Sequence, residues 1–321
     1  MTYKLPEYES HARFPHPNPS PQVGEGRVEK SLRDFHVNPA GVLTMYQGIE
    51  HVAIFSTDTT RLRDWYVRHL DMHCAVDNGA GGYFLLLQDG SMIELVPASE
   101  PSQAGVMPEV RDRGLRHIAL RVAAPDFGAA VHNLVEAGAC VVGESPRQYP
   151  EGLATFHFRD PDGNLLHLIS RPWRLALAVA PKLASAPRSG LIQGIEHLGI
   201  VASDPERLRQ WYVDALGFQL IVRDDGHGTA FVLGRDGRSV LEFLKAEREP
   251  GLDHWKACGI RHLAISVPAD ETESLAARLK ALGVEVLDDY KQVDGGVHLF
   301  FFRDPEGNVL HLVGRANPLV T

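Results

Sequence analysis

Three observations predict an α+β fold of four strand–helix–three-strand units: an internal duplication, helix caps at matching places in each copy, and short alternating apolar runs after each helix. The duplication can be read directly. "GIEHVAI" (48–54) returns as "GIEHLGI" (194–200), "LRDWYVRHLDM" as "LRQWYVDALGF", "MIELVP" as "VLEFLK" and "GLRHIAL" as "GIRHLAI". "FRDPDGNLLHLISRP" returns as "FRDPEGNVLHLVGRA". His51 and His197, Glu94 and Glu242, His117 and His262, and His167 and His311 are 146, 148, 145 and 144 residues apart. Near-constant spacing over separate segments marks a repeat rather than chance.

Each copy divides again. Asp58 or Thr57 caps a helix whose Leu62, Trp65, Tyr66 and Leu70 share one face. Pro125 and Asp126 begin a second helix that stops at Gly138. In the other copy Ser203-Asp204-Pro205 opens one helix, and Asp270 opens another that ends at Gly283. Stretches such as "YFLLLQDGSMIELV" follow the helices and read as hairpins through Gly or Asp-Gly turns. Residues 1–44 are rich in Pro, Gly and polar side chains and are expected to form a disordered tail. The first domain then runs over 45–173, an Ala/Pro-rich linker over 174–190, and the second domain over 191–317.

Composition narrows the function. The 321 residues are 44% hydrophobic and 23% charged, as in a globular protein with room for two cores. A formal charge of −9 argues against a nucleic-acid surface and leaves a small-molecule substrate as the expected partner. No apolar run reaches the length of a membrane span, and no signal-peptide core is present. Cys74, Cys140 and Cys258 fit no disulfide framework or Cys-based zinc pattern, which points to free thiols in a reducing cytoplasm. A homodimer is left open.

Strand alternation then isolates eight polar side chains. In "HVAI" Val52 and Ile54 share a face and His51 takes the other. Glu94 opposes Ile93 and Leu95, His117 opposes Ile118 and Leu120, and His167 opposes Leu166 and Leu168. The second copy repeats this with His197, Glu242, His262 and His311. A lone strand histidine is commonly a satisfied structural residue, but here the set recurs. A carboxylate among apolar neighbours costs several kcal/mol unless a cation or hydrogen bonds compensate it. A divalent cation held by imidazoles meets that need.

The paired modules and the "DPxGN" turn before each last strand resemble the vicinal oxygen chelate superfamily, which includes glyoxalase I, bleomycin-binding proteins and extradiol dioxygenases. The resemblance covers roughly Tyr46–Arg171 and Leu191–Arg315. It implies two tandem cupped mixed sheets, glyoxalase-like, each around one divalent metal ion, with Zn, Ni, Mn and Fe(II) all compatible. It implies that His51, Glu94, His117 and His167 ligate in the first half, and His197, Glu242, His262 and His311 in the second. Glyoxalase-like relatives usually carry Glu at the last position, where this chain has His167 and His311. Those two histidines, with Glu94 and Glu242, are therefore the candidates for moving protons in catalysis.

The expected activity is metal-dependent isomerase or lyase chemistry on a hydroxycarbonyl or enediol. An Fe(II)-dependent extradiol-type dioxygenase is the alternative, and a non-catalytic binding or resistance protein a further one. His157 and His298 lie on the strands before each "RDP", where an extradiol enzyme can place an acid/base histidine. Tyr149 and Tyr290 are candidate pocket residues. Arg159, Asp160, Arg303 and Asp304 read as turn structure.

Overall fold

The computed structural model describes residues 46–100, 109–149, 152–172, 190–224, 229–234, 236–249 and 255–319. The expected N-terminal tail and all of the expected linker except Gly190 lie outside these residues.

Four modules follow one another. The first is β1 (Gly48–Ser56), α1 (Thr59–His69), β2 (His73–Asp77), β3 (Tyr83–Leu86) and β4 (Met92–Pro97). The second is β5 (Gly114–Val122), α2 (Phe127–Glu136), β6 (Cys140–Val141), β7 (Arg147–Gln148), β8 (Ala154–Arg159) and β9 (Leu165–Ser170). The third is β10 (Ile192–Ala202), α3 (Pro205–Leu216), β11 (Gln219–Asp224), β12 (Thr229–Leu233) and β13 (Val240–Lys245). The fourth is β14 (Gly259–Val267), α4 (Thr272–Ala281), β15 (Glu285–Val293), β16 (Val297–Arg303) and β17 (Val309–Arg315).

The helix starts follow the capping chemistry of the sequence. Asp58 accepts from the Arg61 N–H and Asp204 from the Arg207 N–H, each at 3.0 Å. Helices α2 and α4 are each preceded by one tight turn, Ala124–Asp126 and Ala269–Glu271. Among the described residues, no helix is long and apolar enough to cross a membrane.

The strands form two mixed sheets, and their composition departs from the tandem arrangement expected. The first sheet has the order β15-β16-β17-β14-β1-β4-β3-β2. The second has β11-β12-β13-β10-β5-β9-β8-β6, with β7 alongside β8. The first strand of each module runs parallel to that module's own last strand, as β1 with β4 and β14 with β17. Its other edge is filled from the opposite half of the chain: β1 pairs antiparallel with β14, and β10 with β5. Module one thus shares a sheet with module four, and module two with module three. The division between 45–173 and 191–317 separates the repeats but not the sheets.

The turn motif explains how each half stays together across two sheets. Asp160 accepts from the Asp162 and Asn164 N–H groups, each at 2.9 Å, and from Asn164 Nδ2 at 2.8 Å. Gly163 completes the turn at φ +86°, a left-handed position that suits glycine. The remaining donor is the Tyr66 hydroxyl, at 2.6 Å, from a helix of the other sheet. Tyr212 and Asp304 repeat the bond at 3.0 Å. Burial pushes both carboxyls up to about 6 against the pull of these donors. Asp160 and Asp304 are structural, as the sequence suggests.

Along the seam between the sheets, Ser239 Oγ accepts from the Ile49 N–H and Ser91 Oγ from the Ile195 N–H, at 2.8 and 2.9 Å. A cavity of about 360 Å³ opens here, lined in part by Asp89, Ser91, Arg238 and Ser239.

Removing the hydroxyl in Tyr66→Phe leaves a buried carboxylate oxygen one donor short. The expected loss is about 1–3 kcal/mol in urea unfolding. An unchanged midpoint and slope would show that this bond does not hold the two sheets together.

Candidate metal centres

On the face of each sheet away from the helices, the polar strand residues meet in two groups of four. His51 on β1 and Glu94 on β4 join His262 on β14 and His311 on β17. His51 Nε2 lies 3.2 Å from Glu94 Oε2, and His262 Nε2 lies 3.5 Å from the same oxygen. His311 Nε2 is 3.3 Å from His51 Nε2. The second group is His117 on β5, His167 on β9, His197 on β10 and Glu242 on β13. His117 and His197 approach Glu242 Oε2 at 3.1 and 3.4 Å, and their Nε2 atoms lie 3.2 Å apart.

All eight expected residues are therefore in the two groups, but the groups are not the expected ones. His117 and His167 leave the company of His51 and Glu94, and His262 and His311 leave that of His197 and Glu242. The reason is the sheet pairing: β5 adjoins β10, and β14 adjoins β1.

Two residues that alternation missed orient each centre. The β1–β14 register slips between Ile49 and His51, so Glu50 sits in a bulge, and β10 slips in the same way at Glu196. The bulge brings each glutamate beside its own histidine. Glu50 Oε2 lies 2.8 Å from His51 Nδ1, and Glu196 Oε2 lies 2.5 Å from His197 Nδ1. Arg315 and Arg171 donate to the far oxygens at 2.6 and 2.7 Å. A carboxylate on Nδ1–H turns the Nε2 lone pair toward the cluster. The repeated "IEH" was the available signal, but regular alternation puts Glu50 on the wrong face.

The electrostatics follow from burial. Burial pulls His51 and His197 down, but Glu94 with Glu50, and Glu242 with Glu196, outweigh it and hold both imidazoles up at about 9. Burial opposes ionisation of Glu94 and Glu242 too, yet the adjacent imidazoles keep both well below the usual carboxylate range. His167 and His311 are pushed well below the usual histidine range, by burial first and neighbouring imidazoles second. Both ring nitrogens of His167 and His262, and Nδ1 of His311, are buried without a hydrogen-bond partner.

That donor set fits a divalent metal ion. Three imidazoles and a carboxylate are ligands for Zn, Ni, Mn or Fe(II). Metal–ligand bonds of ~2.1 Å place neighbouring donors about 3.0–3.4 Å apart, and the separations of 3.1 to 3.5 Å match this within 0.1 Å. Within each histidine triad the ligand atoms lie within 4.8 Å of one another. Buried nitrogens without partners are what a bound cation would satisfy. The seam cavity is lined by His51 and Glu50 but by none of Glu94, His262 or His311.

The remaining candidates divide. His157 lies opposite His167 and stacks on it at 4.6 Å, whereas His298 lies opposite Gly314 and bonds the Tyr290 hydroxyl at 2.9 Å. His298 shares its strand face with the core residues Phe300 and Phe302, away from the cluster. Tyr149 is exposed.

Gly199 occupies the place that Ala53 holds in the first centre. A Cβ there would fall 2.0 Å from the His117 ring. Gly199→Ala is expected to displace His117 and cut metal affinity of the second centre at least tenfold, leaving the first unchanged. Metal titration of the variant reads this, and two intact sites would refute the packing. A second expectation concerns pH. A metal must displace the proton from His51 or His197, whose affinity is raised to about 9. Affinity should therefore climb roughly tenfold per pH unit up to about 9 and level off above it. Mn(II) titrations at pH 6.5, 7.5 and 8.5 test this, and a flat profile would mean that both imidazoles are already neutral.

Comparison with known proteins agrees with this architecture. The profile of the Glyoxalase/Bleomycin resistance protein/Dioxygenase superfamily matches residues 48–168 and 194–312. The uncharacterized protein YaeR of Escherichia coli K12 is 30% identical over 129 residues, 38% of this chain and 95% of its own. The uncharacterized protein YwkD of Bacillus subtilis 168 is 29% identical over 126 residues, 38% of this chain and 97% of its own. Each relative thus corresponds to about one repeat. Among solved structures, a provisionally assigned dioxygenase from Bacillus subtilis superposes with a TM-score of 0.64 at 14% identity, covering 86% of this chain and 87% of that one. Glyoxalase I from Zea mays superposes with a TM-score of 0.62 at 19% identity, covering 84% and 92%. At these identities the structural likeness establishes the fold alone.

Proposed function

The chain belongs to the glyoxalase/bleomycin resistance protein/dioxygenase superfamily, and from that premise we propose that it is a metal-dependent enzyme with two centres, His51–Glu94–His262–His311 and His117–His167–His197–Glu242. Each centre binds a small substrate through two vicinal oxygens and carries out proton-transfer chemistry of the isomerase or lyase type. The observation behind this reading is the convergence, twice, of buried imidazoles on one carboxylate, with Nε2–carboxylate distances of 3.1 to 3.5 Å and with ring nitrogens of His167, His262 and His311 buried without a hydrogen-bond partner.

A bound divalent cation would polarise the chelated oxygens and favour the enolate form of a hydroxycarbonyl. The protein's own groups do the rest. Glu50 and Glu196 fix the imidazole orientation of His51 and His197. Glu94 and Glu242 are the most open members of their centres, with side chains 24% and 15% exposed. That makes them the carboxylates best placed to take a proton from an entering substrate. His167 and His311 stay neutral at physiological pH and offer a lone pair to cation or proton. The three free cysteines suit a reducing cytoplasm.

One observation favours a second reading, an Fe(II)-dependent extradiol-type dioxygenase. His157, stacked on His167, gives the second centre an additional imidazole beside its ligands. The fold likeness to the provisionally assigned dioxygenase is compatible with this but does not select it.

Protein purified anaerobically is expected to carry two divalent ions, Glu94→Ala and Glu242→Ala one each, and the double variant none. Two ions retained in either single variant would refute that assignment. Activity then separates the chemistries. Deuterium exchange into an α-hydroxyketone without oxygen uptake supports the isomerase or lyase, and catechol-dependent oxygen uptake with bound Fe(II) supports the dioxygenase.

A further inference from the structure

The ligand sets of the two centres match, but the walls around them do not. Positions can be compared through the strand registers. His157 on β8 lies opposite His167, and Phe301 on β16 lies opposite His311. Two residues earlier, Thr155 lies opposite Ile169 and Leu299 opposite Val313. Near the other end, Val201 lies opposite Gly114 where Phe55 lies opposite Gly259. At all three positions the first centre has the larger or more apolar residue.

The first centre is walled by rings. Phe84 meets His51 edge-on at 5.3 Å, Phe55 meets His262 at 5.8 Å, and Phe301 stacks on His311 at 4.4 Å. Trp255 backs Phe301 at 5.6 Å. In the second centre, among the described residues, Phe231 is the one phenylalanine against a ligand ring, 5.6 Å from His197, and Val201 stands where Phe55 does. The outer strand of that wall is polar. Thr155 is 6% exposed, and its hydroxyl is buried without a partner. His157 is half-buried beside it. Arg147, the strand partner of Thr155, donates to the Glu144 carbonyl at 2.9 Å and lies 3.6 Å from the Glu144 carboxylate. The positive charges of Arg147 and Arg111 bear on His157 and His117, respectively.

A ring-lined wall favours a flat, apolar ligand, although Arg315 lies over the Phe84 ring at 5.4 Å. A buried free hydroxyl beside an imidazole, with the Arg147 guanidinium on the adjoining strand, favours a ligand with a polar or anionic arm, and is penalised when that arm is missing.

We propose that the two centres select different ligands: the first takes a flat aromatic vicinal-oxygen compound, and the second takes a small aliphatic one carrying an anionic group beyond its two chelating oxygens. Thr155 and His157, against Leu299 and Phe301, are the specificity-determining pairs. The inference rests on the metal reading above, and the experiment separates the two.

Glu94→Ala leaves only the second centre and Glu242→Ala only the first. Each protein is loaded with Zn(II), its metal content is measured after dialysis, and calorimetry follows titration with catechol, malate and glycolate. The second centre alone is expected to bind malate at least tenfold tighter than catechol and tighter than glycolate, which lacks the extra carboxylate. The first alone should reverse the order of catechol and malate. Adding Thr155→Leu and His157→Phe to Glu94→Ala should move its preference toward catechol with one ion still bound. Adding Leu299→Thr and Phe301→His to Glu242→Ala should move it toward malate, and this provides the test if the first combination does not fold. The same preference in both single-centre proteins, or exchanged walls that leave the preference unchanged with metal bound, would overturn the specialisation. Absence of metal from both single-centre proteins would overturn the metal reading itself, and the proposal with it.

Discussion

The antiparallel joining of β1 to β14, and of β10 to β5, is the constraint on which the rest depends. It closes the open edge of every module, and it also sets the geometry of both centres. Across these ladders each donor faces a small residue: His51 faces Ala264, and His262 faces Ala53. Ala53 also faces Glu94, and Ala264 faces His311. In the second sheet Ala119 faces His197 and His167, and Gly199 faces His117 and Glu242. Between the donors of the four central strands the inner squares hold alanine or glycine, which leaves room for four large side chains to lean inward. A slip of one residue in either central ladder would carry two donors to the helix face.

Charge is handled by the same arrangement. Each centre brings one carboxylate into a nest of imidazoles, and His51 and His197 each have a second carboxylate behind them. That second carboxylate is tolerated because an arginine from the last strand's end binds it: Arg315 for Glu50, and Arg171 for Glu196. Both ring nitrogens of His167 are buried without a hydrogen-bond partner, and a cation held by the cluster would satisfy one of them.

Much of this was legible in the sequence, and the illegible parts have physical causes. Periodicity and capping located the modules, because Asp58 and Asp204 cap helices as their chemistry dictates, and alternation located all eight side chains that gather in the two clusters. Partner choice was not legible. The edge of β1 presents the same ladder groups to β5 as to β14, so no residue type in one strand distinguishes the two pairings. Glu50 and Glu196 were missed for a different reason: a bulge breaks the period of two on which the reading of a strand depends. His157 and His298 lie two and five residues before the arginines of their turns and so do not align, and the register, His157 on His167 and His298 on Gly314, puts one beside the cluster and the other beside the core.

Duplication and cross-pairing together leave this chain unusual freedom. Each sheet holds one module from each repeat, so each centre draws two strands from each half. The ladder positions are constrained, since a larger residue at Gly199 or a change at a donor disturbs the central packing directly. The outer strands β8 and β16 carry no cluster residue and meet the centres through His157 on His167 and through Phe301 on His311 and His262. They are the part of the wall that can change without moving a ligand. There Thr155 and His157 stand against Leu299 and Phe301, while the donors next to them remain the same. A repeat arranged this way keeps two equivalent clusters of three imidazoles and a carboxylate and lets their surroundings diverge.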